Sequence, residues 1–462
     1  MFSKKTYQNR RKTLKNRLKS GLLIFPGNKE VGMNYAANWY PFRQDSTFLY
    51  YFGINQPDLY VVIDIEEDSE MLFGNALTPE DMVWVGAAEP LEDQANKAGI
   101  TKVKPLSELQ KTIKNAQKMG KNIHFLPPYR SKTTIEISEL TGIAVGEVKE
   151  KQSIEFVKAV IAQRAIKSAE EVTELHKAVN ITAAMHRHAI KNTKHGVTEK
   201  QIAGELQAIA IAGGGNIAFP IILTKNGQYL HNHATQAVVQ NGDLVLCDCG
   251  AETAMNYTGD MTRTFPVAER FTAVQRDIYS IVLDAHESAA AALKPGYRFK
   301  DAHLLACSRI VEGLKGMGLM KGNTQDAVDA GAHTLFFQCG LGHFMGMDIH
   351  DMENFGEQLV GYSDNLQKST EFGLKSLRLG KELEAGNVLT VEPGIYFNPF
   401  LIDEWRAEGK YTDFVNYDAV EKFKGFGGMR VEEDFLITAD GKELLGEPLE
   451  KTADEIERLK AS

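Results

Sequence analysis

Five side chains in the second part of the chain have the types and the surroundings of metal ligands. They are four carboxylates and one imidazole: Asp248, Asp260, His343, Glu392 and Glu432. Four of the five lie in or beside strongly apolar segments, such as LVLCDCG and NVLTVEPG. A buried carboxylate is very costly unless it is paired or binds a metal ion, and few basic residues lie nearby in sequence. This hard, oxygen-rich donor set predicts a centre that binds two divalent ions.

Each of these residues has an ordinary structural explanation when it is considered alone. An aspartate at a strand end is commonly a turn or cap residue, and a single histidine is commonly a satisfied core or surface group. The run Cys247-Asp248-Cys249 also suggests a zinc site. Because alternate residues of a strand face opposite sides, both cysteines should point away from Asp248. We therefore expect them to be small buried side chains outside the metal centre.

The elements that must position the ligands follow a repeated order. The patterns at Ser168–Glu171 and Thr198–Gln201 are capping boxes, and the helix after the first should run to about Asn192. Paired strands come next, then helices near 270–294 and 299–319, and then strands again. The order helix-helix-strand-strand thus occurs twice, which predicts an internally duplicated α+β domain with its site between the halves.

The first part of the chain has a different organisation. Short strand patterns (GLLIF at 21–25, LYVVIDI at 59–65, NIHFL at 122–126) alternate with helical patterns, which predicts an α/β domain. This part has no cluster of histidines and carboxylates. A length of 462 residues fits more than one domain. We expect two, at 1–165 and 166–462.

Composition excludes several classes of protein. An apolar fraction of 43% with 24% charged residues is typical of a globular protein, and a net charge of −9 gives no reason to expect a nucleic-acid partner. No apolar run is long enough to span a membrane. Four cysteines are too few for a disulfide framework in a chain of this length. We expect a cytoplasmic protein with reduced thiols.

The first twenty residues are locally basic, with eight Lys and Arg and no acidic residue. They could form a targeting segment or a segment that binds an anionic surface. Tyr7, Leu14 and Leu18 fit one stripe of a helix, and the apolar stretch that follows is too short for a signal peptide. A solvated amphipathic helix is the favoured interpretation.

At the ligand segments the sequence resembles the Xaa-Pro aminopeptidase (aminopeptidase P) and prolidase family, metallopeptidases of the pita-bread fold. The matching segments, in the family's order, are LCDCGAE, GDMTRTFPV, GLGHFMGMDIHD, LTVEPGIYF and GGMRVEEDFLIT. In the first part, YPFRQDSTFLYYFG is similar to the N-terminal domain of the same family. The resemblance implies a C-terminal pita-bread domain, an aminopeptidase P-type N-terminal domain, and cleavage between an N-terminal residue and a following proline.

The resemblance also implies how the metal ions are bound. One ion would take Asp260, His343, Glu392 and Glu432, and the other would take Asp248, Asp260 and Glu432, so that Asp260 and Glu432 bridge the pair. A hydroxide held between the two ions would attack the scissile carbonyl. Carboxylate-rich ligation favours Mn²⁺, with Co²⁺ or Zn²⁺ as alternatives.

Further residues match the family's substrate side. His231 and His350 match histidines that can donate hydrogen bonds to the developing oxyanion, and Glu392 can carry the proton to the leaving nitrogen. Tyr396 and Arg430 match residues that support the site, and we count both as substrate-binding residues.

Two positions bear on specificity. Arg378, in GLKSLRLG, matches a prolidase arginine that holds the free carboxylate of a dipeptide, a task that suits a planar guanidinium. The other interpretation of Arg378 is a surface arginine. Cys339 stands where relatives usually carry a histidine near the proline pocket. The sequence therefore leaves open whether dipeptides or longer peptides are preferred.

Other proteins of the same fold differ from this chain in their ligands or their domains. Some members have lost the metal ligands and bind peptides, and creatinase is a metal-free hydrolase, whereas this chain keeps all five ligands. Methionine aminopeptidase shares the ligands but has neither the long N-terminal domain nor the R-x-E-x-D ending. We predict an enzyme that acts on Xaa-Pro dipeptides or on short peptides with proline in second position. The alternative is a metal-dead peptide-binding module. Relatives form oligomers, so a homodimer or homotetramer is expected.

Overall fold

A computed structural model describes residues 1–87 and 89–462 of the chain. The chain forms two compact units, Met1–Arg164 and Ala165–Ser462, here called unit 1 and unit 2. Each unit is described by itself. Within the described residues, no helix combines the length and the apolar character that a membrane crossing requires.

Unit 1 is an α/β unit. Its elements are α1 (Lys4–Leu18), β1 (Leu22–Pro26), α2 (Ser46–Phe52), β2 (Tyr60–Asp64), β3 (Ser69–Phe73), α3 (Pro79–Val85), α4 (Leu91–Ala98), β4 (Lys102–Lys104), α5 (Leu109–Lys118), β5 (Ile123–His124), α6 (Ser131–Thr141) and α7 (Ile154–Arg164). One mixed sheet has the strand order β4-β3-β2-β1-β5. The apolar runs predicted as strands form β1, β2 and β5, so the predicted α/β class is confirmed.

The basic N-terminal helix differs from the prediction in one respect. Its apolar stripe is buried as expected, at Tyr7, Leu14 and Leu18. Two of its arginines, Arg10 and Arg11, are buried as well. Arg11 donates from Nε to the Glu70 carboxylate at 2.8 Å, and both arginines donate to backbone carbonyls of α2. The helix is therefore not a purely solvated one, because two of its cations are buried and donate hydrogen bonds in the interior.

Unit 2 contains the duplication. Its elements are α8 (Ala169–Asn192), α9 (Glu199–Ala212), β6 (Asn216–Ile217), β7 (Ile222–Thr224), β8 (Leu244–Cys249), β9 (Ala251–Glu252), β10 (Met261–Pro266), α10 (Ala273–Ala292), α11 (Phe299–Gly316), α12 (Thr324–Asp329), α13 (Glu357–Gly361), β11 (Val388–Val391), β12 (Gly394–Tyr396), α14 (Pro399–Ala407), α15 (Tyr417–Val420), β13 (Gly428–Arg430), β14 (Glu433–Ile437), β15 (Lys442–Leu444) and α16 (Ala453–Lys460). The helix pair α8 and α9 precedes a sheet of order β10-β8-β7, and the pair α10 and α11 precedes sheets of order β11-β14-β15 and β12-β13. The predicted α+β class with a repeated element order is confirmed.

The caps of the first helix pair agree only partly with the prediction. At α8 the capping box is complete, since the Ser168 hydroxyl and the Glu171 carboxylate each accept from the other residue's backbone N–H. At α9 the Thr198 hydroxyl accepts from the backbone N–H of Gln201 at 3.1 Å. The Gln201 side chain instead lies 3.4 Å from the Glu205 carboxylate, one turn further along the helix. The second capping box is therefore half formed.

The two halves of unit 2 meet along β10 and the residues between β13 and β14. Thr262 and Glu432 form an antiparallel bridge, in which the Glu432 N–H donates to the Thr262 carbonyl at 3.1 Å. Beside it, the fully buried guanidinium of Arg263 pairs with the Glu433 carboxylate at 2.8 Å. This junction brings the carboxylates of the first half beside those of the second half.

Candidate metal centre and active site

The predicted metal ligands gather at one cavity of unit 2. Four of them line a cavity of about 240 Å³: Asp248, His343, Glu392 and Glu432. The fifth, Asp260, is in contact with this set, because its Oδ2 lies 3.4 Å from Nε2 of His343. One ligand atom each of Asp260, His343 and Glu432 lies within 4.8 Å of the others.

A break in the strand pairing positions Glu392 and Glu432. β11 pairs with β14 through Val391 and Glu433, and β12 pairs with β13 through Gly394 and Arg430. Both ladders continue the same antiparallel register, which places Glu392 opposite Glu432 at the break. Pro393 has no N–H to donate there. The two carboxylates therefore face each other where the backbone ladder is interrupted.

Burial and mutual repulsion act on the carboxylates of the cluster. Burial raises the pKa of Asp248 to about 8. The charges of Asp260 and Glu392 add to this rise, and the charge of Arg430 opposes it. Burial also raises the pKa values of Glu392 and Glu432, and the charge of Asp260 adds to both shifts. Among the described residues, Oδ1 of Asp248 is buried without a hydrogen-bond partner. Divalent cations bound here would supply the additional positive charge that favours the ionised carboxylates.

The imidazole of His343 is oriented for binding a cation. Its Nδ1 lies 3.0 Å from the Phe344 carbonyl, which can only accept, so Nδ1 carries the proton. Nε2 is then directed at Asp260 and at Glu392, 3.6 Å away. Burial lowers the pKa of His343, but Asp260 and Glu392 more than offset it, and the pKa stands above its usual value. The fixed tautomer is typical of metal-bound histidine.

Arg430 connects the cluster to the surrounding structure. Its guanidinium lines the cavity and pairs with Asp248. Nε donates to the Thr262 hydroxyl at 3.0 Å, and Nη1 donates to the Tyr396 hydroxyl at 3.0 Å. Tyr396 is fully buried and is not among the described residues that line the cavity. Of the two residues predicted to bind substrate here, the structure thus places Arg430 at the cavity and Tyr396 behind it.

Both predicted substrate-side histidines line the cavity. The His350 ring packs edge-on against His343, with the ring centroids 4.3 Å apart. Its Nδ1 is bonded to the Glu353 carboxylate, which leaves Nε2 for another partner. Burial lowers the pKa values of His231 and His350, and the charge of Glu353 partly opposes this for His350.

Arg378 lies at the same cavity and is already paired. Its Nε is 3.2 Å from the Glu353 carboxylate and 3.7 Å from the Glu357 carboxylate. The hydrogen bond from His350, together with the charge of Arg378, holds the pKa of Glu353 at about 2 despite partial burial. Arg378 is therefore part of a half-buried charge network at the cavity, and a substrate carboxylate would have to compete with Glu353 for it.

The cysteines of the C-D-C run lie apart from this cavity. Cys247 and Cys249 have their sulfurs 3.9 Å apart, and Cys249 Sγ lies 3.5 Å from Nε2 of His186 on α8. Both are buried, whereas Asp248 between them lines the cavity. All four cysteines of the chain are free, as predicted. Cys339, by contrast, does line the cavity, and burial raises its pKa to about 12.

Sequence reasoning missed several residues of the site. His233 and Leu230 line the cavity on either side of His231, and Glu353 holds both His350 and Arg378. The pattern LHNH offered a signal for His233, because it places a second histidine two residues after His231. No pattern in the sequence indicated Glu353, whose role depends on contacts between separate loops.

The chain matches two family models and is similar to known proteins over most of its length. Residues 173–439 match the family model of metallopeptidase family M24, and residues 7–124 match that of the aminopeptidase P N-terminal domain. The Xaa-Pro dipeptidase of Homo sapiens is 30% identical over 449 residues, which cover 95% of this chain and 88% of that protein. A probable Xaa-Pro aminopeptidase pepP of Aspergillus fumigatus is 33% identical over 435 residues, covering 91% and 88%.

Solved structures are similar over the whole chain. Aminopeptidase P from E. coli with the inhibitor Pro-Leu has a TM-score of 0.82 at 28% identity, with 100% of this chain and 98% of that chain covered. Aminopeptidase PepP of Pseudomonas aeruginosa has a TM-score of 0.81 at 25% identity, with the same coverage. The expected pita-bread fold is thereby confirmed. The matched family models, the relatives and the fold show that the chain belongs to metallopeptidase family M24 and carries an N-terminal domain of the aminopeptidase P type.

Proposed function

We propose that this metallopeptidase hydrolyses the bond between an N-terminal residue and a following proline, as an Xaa-Pro aminopeptidase or Xaa-Pro dipeptidase. The observation that carries the proposal is the convergence of five candidate metal-ligand side chains at a cavity that three further histidines and two arginines also line. Relatives with either activity in their names support it. The catalytic domain is proposed to be 166–462, with an N-terminal domain at 1–165.

Two divalent ions would fit the carboxylate cluster. We assign Asp260, His343, Glu392 and Glu432 to one ion and Asp248, Asp260 and Glu432 to the other. The raised pKa values of three of these carboxylates and the unpartnered oxygen of Asp248 support this assignment. Mn²⁺ is the proposed ion, and Co²⁺ or Zn²⁺ are alternatives, since a zinc-substituted E. coli aminopeptidase P has been solved. When bound, the ions would polarise the scissile carbonyl and lower the pKa of a water molecule.

The protein's own side chains would bind the substrate and move its protons. His231 and His350 line the cavity and would donate hydrogen bonds to the oxygen of the scissile carbonyl, where charge develops. Glu353 favours the protonated form of His350 through its hydrogen bond at Nδ1. Glu392 is the proposed carrier of the proton to the leaving nitrogen. Arg430, held by Tyr396, keeps Asp248 in position.

Substrate length depends on Arg378 in this proposal. Its guanidinium lies at the cavity, within reach of a bound peptide, but it pairs with Glu353 and Glu357. A dipeptide carboxylate would compete for it as a bidentate partner. A longer peptide would leave the Arg378–Glu353 pair intact. The proposed function therefore includes both activities, cleavage of Xaa-Pro dipeptides and removal of the first residue from longer peptides.

Exposed apolar side chains support a homodimer or homotetramer. α3 has no buried residue in the chain taken alone, and Val83, Trp84 and Val85 on it are 79%, 82% and 61% exposed. A contiguous apolar surface of this kind is typical of a binding interface. The free state of all four cysteines supports a cytoplasmic location.

A digest tests the proposal. We expect the protein with Mn²⁺ to release alanine from Ala-Pro or from Ala-Pro-Ala, to leave Ala-Ala-Ala intact, and to lose activity with a chelator. Activity that persists in the chelator would contradict the metallopeptidase mechanism. A protein that binds Ala-Pro-Ala but cleaves neither substrate with Mn²⁺, Co²⁺ or Zn²⁺ would be the metal-dead binding module.

A further inference from the structure

A second group of metal-ligating side chains lies in the core of unit 2. It consists of His303 and Cys307 on α11 and His333 in the 3-10 turn Ala332–Leu335. One ligand atom from each residue lies within 4.8 Å of the other two. None of the three lines the cavity of the peptidase centre. The group is therefore separate from the ligands assigned above.

The helix and the turn arrange these ligands before any ion binds. His303 and Cys307 are four residues apart on one face of α11, and Cys307 Sγ lies 3.5 Å from Nε2 of His303. The exposed fractions of His303, Cys307 and His333 are 1%, 0% and 2%. A ligand set with this burial has little freedom to reorganise.

Three of the four imidazole nitrogens of the group are unsatisfied. Within the part of the chain that the structure describes, Nδ1 of His303 and both ring nitrogens of His333 have no hydrogen-bond partner. The buried His186 has one such nitrogen, Nδ1, whereas its Nε2 donates to the Met261 carbonyl at 2.8 Å. A buried polar atom without a partner destabilises the folded protein, and most buried polar atoms in proteins have a partner. These nitrogens therefore indicate a ligand.

The charge and the chemical softness of the three donor groups determine which metal ion they would bind. Burial lowers the pKa of His303 to about 3 and that of His333 to about 4, so both rings are neutral and keep a lone pair. Beyond the group itself, Lys300 is the charged side chain that acts on His303, and no carboxylate among the described residues opposes it. One thiolate neutralises a monovalent cation, whereas a divalent ion would leave a net charge in the core. Thiolate and imidazole donors favour Cu⁺, and Zn²⁺ would need a fourth ligand.

We propose that His303, Cys307 and His333 bind one Cu⁺ ion. Binding forms one copper–sulfur bond and two copper–nitrogen bonds, and the Cys307 thiol releases its proton to solvent. The ion would tie α11 to the turn that leads along the chain to Cys339 and His343 at the cavity. This proposal is independent of the peptidase activity.

The test is an anaerobic titration of the Mn²⁺-loaded protein with Cu⁺ against a chromogenic Cu⁺ chelator, after overnight equilibration. We expect one equivalent of Cu⁺ per chain, with one sulfur and two nitrogens around copper by X-ray absorption. Cys307→Ala and His333→Gln should each lower the affinity for Cu⁺ about 100-fold or more. Cys247→Ser is the matched control and should bind Cu⁺ as the wild type does.

Two results would overturn the proposal. Absence of Cu⁺ binding by the wild-type protein would mean that the group is apolar core or holds a buried water molecule. Two sulfurs and one nitrogen around copper would assign the ion to His186, Cys247 and Cys249 instead. Both measurements are made on the wild-type protein, so a variant that fails to fold does not affect them.

Discussion

The buried carboxylate of Glu199 accepts two hydrogen bonds from Thr235, one from the backbone N–H at 3.0 Å and one from the hydroxyl at 2.7 Å. Its other oxygen accepts from the backbone N–H of Lys225 at 2.9 Å. Glu199 thereby closes the loop 225–235, which carries His231 and His233 into the cavity. The first residue of α9 thus fixes both ends of a substrate-side loop.

Replacement of Glu199 should therefore affect catalysis without affecting the metal ions. We expect Glu199→Ala to lower kcat/KM about 10- to 100-fold, because misplacement of a positioning loop by 1 Å has effects of this size. Metal content by elemental analysis should stay at the wild-type value. Glu205→Ala on the same helix is the control and should leave kcat/KM unchanged. Equal kcat/KM in both variants would show that the loop holds His231 without Glu199.

Metal content tests the bridging roles. Because Asp260 and Glu432 are assigned to both ions, Glu432→Ala should lose both equivalents of metal and all activity. Glu443→Ala, at an exposed strand position, should keep both equivalents. Retention of two equivalents by the Glu432→Ala protein would refute the bridging assignment.

His350 is predicted to act on the transition state and not on the metal ions. His350→Ala should keep its metal content and lose about 100-fold or more in kcat, which is the usual effect of removing one oxyanion donor. The measurement is kcat for an Xaa-Pro peptide beside elemental analysis. Wild-type turnover in this variant would exclude His350 from the reaction.

Arg378 distinguishes the two substrate lengths. If it binds a dipeptide carboxylate, Arg378→Ala should lower kcat/KM for Ala-Pro at least about 10-fold, the effect expected when a charge-assisted hydrogen bond of about 1.5–3 kcal/mol is lost. Cleavage of Ala-Pro-Ala should change little. Arg298→Ala is the control, since Arg298 is an exposed arginine paired with Asp301. Equal losses on both peptides, or none on either, would contradict the carboxylate role.

The burial of His286 leads us to expect that the folded protein loses stability at acidic pH. Burial lowers its pKa to about 3, from an ordinary value of 6.5. The unfolded state therefore binds one more proton than the folded state between these values, and stability falls as the pH drops from about 6 to 4. His286→Phe should reduce this dependence by about 1.4 kcal/mol per pH unit, measured by urea unfolding. The same slope in both proteins would show that His286 is protonated in the folded state.

The sequence predicted the elements and ligands whose signals are local. The apolar runs and the cap at Ser168 were visible because periodicity and residue type alone define them, and residue type with apolar surroundings indicated the five candidate metal ligands. The burial of Arg11 and the role of Glu353 were not visible, since both depend on partners in other loops or strands. The capping box at Gln201 was predicted only in part for the same reason. Its side chain hydrogen-bonds to the Glu205 carboxylate and not to the backbone N–H that the motif predicts.

The interruption at Pro393 has a consequence for folding. A proline at this point removes a backbone hydrogen bond from the strand pair, and Glu392 and Glu432 put like charges where the ladder would otherwise continue. Ions bound there would hold the two strands together at this interruption. The free energy of metal binding then becomes part of the free energy of folding of unit 2, and the stability of the enzyme rises with the concentration of free metal.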